Sequence, residues 1–435
     1  MRFSGVWHAK AFELRLVRKK SLFGTLLNSC ARFRHRGFVI SKFRGVMKRK
    51  ASTDAAKAVP SFFCERWLEM ITLVATALRS LIPIPALDPH QLQLGPKAGE
   101  GTFGLVRWGA YKGTPCVVKQ AKPGCERADS YLRVEEHASS LLAYHCGDSV
   151  HFAPYVGAAD KDGTKMLVWR ACGDMTLGDY LRRGQPGIAA LAEALECTSE
   201  KAIGRKVLRE QLIALSRLHA CGLVHRDIKP DNWIVDTDER CLRLIDFGSS
   251  CEVASWGTQR GYTPTHVPCS ILFCPPEQLL TIATPYTYDV FSAALVWLCV
   301  ALPALGESEE TLYMLRMSIK EHGHRLDAWR ASWEGGEPPV AQWRDESIFG
   351  STSEQAQKVG WELLVTLLAP APHERPTAAE ALLSPFMNAD CALIDARMPA
   401  PRPWTLEGLA HAGAVLSGAE PQRRLVAHEC TIDPS

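Results

Sequence analysis

His225-Arg226-Asp227-Ile228-Lys229-Pro230-Asp231-Asn232, with Asp246-Phe247-Gly248 close behind, decides the reading of this chain. The two runs put an acid able to accept a hydroxyl proton, a lysine, an asparagine and a second acid into one short span. Such a set suits phosphoryl transfer from magnesium-ATP, whose catalysis is mostly positioning and charge neutralisation. Asp227 is the expected general base or hydroxyl-orienting carboxylate. Lys229 is expected to neutralise the γ-phosphoryl group, and Asn232 and Asp246 offer hard oxygen ligands to Mg²⁺. Each of these alone reads as a surface polar residue. Their joint spacing does not read as coincidence.

Upstream, Gly99-Glu100-Gly101-Thr102-Phe103-Gly104-Leu105-Val106 places three glycines where a hairpin can fold over phosphates. Glycine lets backbone N–H groups come close to the oxygens. A glycine triplet is a weak signal by itself. The dinucleotide-binding version needs a helix straight after it, whereas here a strand follows, ending in Val117-Val118-Lys119. Lys119 is then within reach of the α- and β-phosphates. Read alone it is a solvated strand lysine. In the binding role it needs an acid to fix it, and the next helix offers Glu135 and Glu136, with spacing slightly in favour of Glu135. Leu167-Val168-Trp169-Arg170-Ala171-Cys172 reads as a hinge. Trp169 would back the adenine pocket, or simply fill the core, while Ala171 and Cys172 would offer backbone hydrogen bonds to the base.

The chain divides by composition. Residues 1–53 are basic and acid-poor, with fourteen Lys and Arg against Glu13 alone in the first fifty, and read as a transit-peptide-like leader or as a disordered basic tail that touches anionic lipid or nucleic acid. The rest is mildly acidic, so the net +3 hides an asymmetry that argues against a nucleic-acid-binding body. Residues 54–90 form a linker with a short apolar helix. Its uncharged run, Met70 to Leu78, is well below the ~20 residues a spanning helix needs. Residues 91–388 carry the catalytic motifs, and 389–435 form a tail rich in Pro and Ala. Fifteen cysteines without a CxxC pair read as reduced, mostly buried thiols.

Within the catalytic region the pattern is β-like from Gln91, helical over 126–145, then β-like again through Trp169. Beyond Leu177 it is mainly helical. Leu208, Leu212, Leu215 and Leu218 share one helix face, residues 184–204 read as an insert, and 289–305 as a strongly apolar helix. The expected fold is α+β and bilobal, with a small β-rich lobe carrying one helix and a larger helical lobe.

Together the glycine-rich loop, Val117-Val118-Lys119, His225–Asn232, Asp246-Phe247-Gly248, Pro275-Pro276-Glu277, Asp289 and Arg375 resemble the eukaryotic-type protein kinases. The resemblance implies ATP and Mg²⁺ as cofactors and protein hydroxyls as acceptors. It also implies a pair between Arg375 and Glu277. Lys229 points to Ser/Thr specificity. Arg226 points to control by phosphorylation of the activation segment, with Thr258, Thr263, Thr265 and Ser270 as candidates. A narrower likeness rests on Met166–Arg170 with Gly173-Asp174, Phe291–Val296 with Pro303, Leu326–Arg330 and Gly360–Leu364. These are similar to the plant and algal thylakoid state-transition kinases, which act on light-harvesting and photosystem II proteins. A chloroplast location and possible membrane association are therefore implied. Two features depart from that group: the apolar stretch is interrupted by Arg79, and Cys30 and Cys64 are far apart. The competing expectation is a silent kinase-fold scaffold, which would normally lack one of Lys119, Asp227, Asn232 and Asp246.

Overall fold

A computed structural model describes residues 85–388, apart from 148, 257–261, 263–269, 334–335 and 337–342. The basic leader, most of the apolar stretch, the tail, and Thr258, Thr263 and Thr265 lie outside the described residues. The described part has the expected bilobal architecture, a β-sheet lobe followed by a helical lobe.

The small lobe is a five-stranded antiparallel sheet in the order β1-β2-β3-β5-β4. Its strands are β1 (Leu92–Glu100), β2 (Gly104–Tyr111), β3 (Thr114–Ala121), β4 (Tyr155–Lys161) and β5 (Thr164–Arg170). Side chains alternate across the sheet. Cys116 and Val118 face an apolar cluster with Leu92, Ala159, Met166 and Val168. Lys119, paired in register with Leu167, is thus thrown to the opposite face. There Leu167, Trp169 and Tyr155 pack on Leu132 of helix α1 (Ala128–Cys146). Trp169 is a buried core residue of that cluster, its ring 5.5 Å from that of Tyr155.

The large lobe continues with α2 (Leu177–Leu181), α3 (Gln185–Ala194) and α4 (Glu200–Ala220). Short strands follow, β6 (Leu223–Val224), β7 (Trp233–Asp236), β8 (Cys241–Leu244) and β9 (Cys251–Glu252). The helical centre is α5 (Thr287–Ala301), α6 (Pro303–Glu307) and α7 (Glu309–Glu321). Leu208, Leu212, Leu215 and Leu218 on α4 are all fully buried, as one helical stripe should be. Helix α5 is buried all round from Thr287 to Val300, which only a central helix tolerates.

Two expectations change. The apolar helix does not run through residue 305. It stops at Ala301 because Pro303 has no N–H to continue the ladder, and Pro303 opens α6 instead. The segment 184–204 is not an appended insert. It forms α3 and the start of α4, with Ile188, Leu191 and Leu195 inside the main core. Gly187 permits that close packing, since a Cβ there would lie 1.9 Å from the Tyr180 carbonyl oxygen.

Among the described residues every cysteine is a free thiol, most are buried, and Cys146 and Cys221 lie 3.9 Å apart at sulfur. No described helix is long and apolar enough to cross a membrane. The far end of the lobe is fastened by Arg375, whose guanidinium forks onto Glu277 with two bonds of 2.8 Å. It also donates to the carbonyls of Ala369 and Pro370 at 2.6 and 2.9 Å. The Arg375 side chain is fully buried, so losing its partner leaves an uncompensated charge. Glu277→Gln is expected to lower the unfolding free energy by about 3 kcal/mol. Urea denaturation reads this as a lower midpoint, and an unchanged midpoint would mean the carbonyl bonds suffice.

Candidate active site

Lys119 is where the two lobes meet. Its ammonium lies 2.7 Å from Glu135 on α1 and 2.8 Å from Asp246 in the loop after β8. Burial works against the Lys119 charge, yet Asp246 and Glu135 together raise its pKa above the ordinary lysine value. At Glu135, which is almost fully buried, burial prevails and lifts the carboxyl to about 7 against the pull of Lys119. Burial acts upward on Asp246 as well, but Lys119 beside it wins and holds that carboxyl at about 2. Glu136, the other candidate, points elsewhere. It accepts two bonds from Lys165 of β5, at 2.9 and 2.8 Å.

The catalytic loop is fixed from below by Asp289 at the start of α5. Its fully buried carboxylate accepts the backbone N–H groups of His225 and Arg226 at 2.8 and 2.9 Å. The His219 ring lies against it at 2.9 Å. Burial alone would raise this carboxyl, but His219 and the donors around it bring the pKa below the usual aspartate range. The His225 ring bonds the Ile245 carbonyl at 3.0 Å and sits edge-on to Phe247. The catalytic loop is thereby tied to the Asp246 segment.

So held, Asp227 presents a crowded carboxylate. Oδ2 accepts from Lys229 at 2.8 Å and from the Asn232 amide at 3.1 Å, while Oδ1 accepts the Ser270 N–H at 3.0 Å. Asn232 also donates to the Asp227 carbonyl at 2.6 Å. Both donor bonds fix the amide orientation and leave its oxygen for a ligand. Asp246 meets both Lys119 and Gly248 through Oδ1 alone, which leaves Oδ2 for a ligand. One amide oxygen and one carboxylate fit Mg²⁺, which takes few protein ligands and keeps waters and phosphate oxygens. Among the described residues no three His, Cys, Asp or Glu converge as an all-protein metal cage would require.

The glycine-rich hairpin joins β1 to β2, with the Gly101 N–H donating to the Gly104 carbonyl at 2.9 Å. A Cβ on Gly104 would lie 2.6 Å from Lys119 Cε, so a side chain there would push the lysine away from its two acids. Gly99 faces open space, and a Cβ on Gly101 would touch nothing closer than 4.0 Å. Packing gives no reason for those two; a ligand lying against the backbone would. Val106 pairs in register with both Gly99 and Lys119 and so lines the same face.

At the hinge Ala171 departs from expectation. Its N–H donates to the Pro115 carbonyl at 3.2 Å and is not available to a base. The Cys172 N–H makes no hydrogen bond among the described residues. Ser270, a phosphorylation candidate by sequence, touches Asp227 through its backbone N–H. Arg226 donates through Nε to the Ser249 carbonyl at 2.6 Å, and its Nη1 is buried with no partner among the described residues. Sequence reasoning missed His219. One helical His among fourteen in the chain carries no local signal.

Residues 92–387 match the protein kinase domain family, and this chain belongs to it. Among curated relatives it is similar to the serine/threonine-protein kinase STN7, chloroplastic, of Arabidopsis thaliana, 25% identical over 343 residues. That match covers 70% of this chain and 58% of the relative. The chloroplastic STN8 kinase of the same plant is 27% identical over 311 residues, covering 62% and 59%. The chain thus spans under two thirds of these relatives' length. A crystal structure of a Stt7 homolog from Micromonas algae soaked with ATP superposes with a TM-score of 0.60 at 25% identity. It covers 72% of this chain and 97% of that one.

The two adjacent acids give a direct contrast. Glu135→Gln is expected to cut phosphoryl transfer at least tenfold by loosening Lys119, whereas Glu136→Gln leaves it near wild type, since the lysine it releases, Lys165, is half-exposed to water. Equal losses in initial-rate assays would contradict this division.

Proposed function

We propose that this chain is a serine/threonine protein kinase that transfers the γ-phosphoryl group of ATP to protein hydroxyls. The observation that carries the reading is a chain of contacts: Lys119 meets Asp246 at 2.8 Å, Ile245 beside it donates its N–H to the Asn232 carbonyl at 3.0 Å, and the Asn232 amide bonds Asp227. The silent scaffold has no missing ligand to recommend it. Gly99, Gly101, Gly104 and Val106 cover the phosphates, Lys119 holds them, and the Cys172 N–H meets the adenine. Asp227, steered by the Asn232 amide and the Ser270 N–H, orients the acceptor hydroxyl and receives its proton. Lys229 lies 2.8 Å from that carboxylate, close enough to stabilise charge on the transferring group. Asn232 and Asp246 would hold Mg²⁺, which supplies charge neutralisation to the phosphate oxygens when bound.

The chloroplast is the proposed location, supported by the chloroplastic STN7 and STN8 relatives. Thylakoid light-harvesting and photosystem II proteins are the proposed substrates, supported by the sequence likeness to the state-transition kinases. Phosphopeptide profiles of thylakoids with and without this gene should differ at those proteins. Identical profiles would remove the thylakoid assignment and leave the kinase one standing.

For the chemistry, Asp227→Asn and Asp246→Asn are each expected to lower transfer to a generic acceptor such as casein by about a hundredfold or more. Circular dichroism should show the fold intact. Substantial transfer by either folded variant would contradict the roles of these two carboxylates.

A further inference from the structure

The tip of the glycine-rich hairpin is clasped from the side. The Phe103 ring stacks on the ring of Tyr131, centroids 3.9 Å apart and planes inclined by 29°. The Phe103 carbonyl accepts the Lys122 N–H at 2.9 Å, and Cys125 Sγ lies 3.5 Å from the Thr102 carbonyl. At the base of the hairpin Glu100 is held between Lys97 and Lys122, 2.5 Å from each.

Tyr131 stands on α1 four residues before Glu135, so the two side chains leave the same helix face. One helix therefore grips Lys119 with Glu135 and the hairpin tip with Tyr131. Gly104 closes the circuit, because the Lys119 side chain runs directly under it. The position of α1 is in this way coupled to the height of the hairpin over the cleft.

We propose that Tyr131 is a positioning residue for ATP: its ring clasps Phe103 and fixes the backbone N–H groups of residues 102–104 over the nucleotide phosphates. The proposal rests on the reading of residues 99–106 as the phosphate cradle. Tyr131 itself does not touch the nucleotide. The contact is ring on ring, so the phenol hydroxyl is dispensable.

The test is titration of the full chain with magnesium-ATP and, separately, with adenosine, which lacks the phosphates. Tyr131→Ala is expected to weaken magnesium-ATP binding roughly two- to tenfold, the range an offset aromatic pair supplies. Adenosine affinity and the urea midpoint should stay as in wild type, and Tyr131→Phe should bind magnesium-ATP as wild type does. Phe103→Ala breaks the same contact from the hairpin side, where it stays informative if Tyr131→Ala folds poorly. The double variant should be no weaker than the weaker single one. Unchanged or tighter magnesium-ATP binding by both single variants would overturn the proposal, as would an equal loss of adenosine binding. If wild type binds magnesium-ATP no better than adenosine, the phosphate-cradle reading itself fails, which is a separate result.

Discussion

A buried lysine must be paired, and here that requirement organises the site. The Lys119 side chain is 16% exposed and sits between two carboxylates from elements far apart in sequence. Removing either acid would leave a charge with poor solvation, which costs far more than a surface ion pair gains. Strand β3, helix α1 and the loop after β8 are consequently held in one arrangement. Asp289 applies the same logic below, where a buried carboxylate surrounded by donors locks the backbone of the catalytic loop. Two buried charges therefore set the relation between the groups proposed to hold the nucleotide and those proposed to orient the acceptor.

Much of this is legible from residues because it depends on short fixed spacings. Asp227, Lys229 and Asn232 lie within six residues of one another, and the alternation of β3 predicts that Lys119 and Val118 face opposite ways. The choice between Glu135 and Glu136 is not legible. Neighbours on a helix point about 100° apart, and sequence does not give helix phase that finely. Lys165, on a strand some thirty residues away, settles it by taking Glu136.

Other differences share a cause: backbone groups act without regard to side-chain type. Ser270 draws notice in the sequence for its hydroxyl, yet it reaches Asp227 through its N–H, which almost any residue could supply. Ala171 lies in the expected hinge, but its N–H extends the pairing of β3 with β5 through Pro115. In residues 184–204 the Gly and Pro signals suggest a loop. Pro186 instead starts α3, where its missing N–H is no loss, and Gly187 allows the close approach of Tyr180. The Gly99 and Gly101 positions run the other way, since packing gives no reason for glycine there and the proposed nucleotide would.

The central claim is that Asp246, Asn232 and Lys119 hold a metal-bound nucleotide as one unit. The most direct measurement is the affinity of the full chain for ATP by calorimetry, with Mg²⁺ and with EDTA, compared between wild type and Asn232→Ala. The account predicts that Mg²⁺ tightens ATP binding to wild type and that this gain largely disappears in the variant. Equal affinity with and without the metal in wild type, or no ATP binding by well-folded protein, would contradict it.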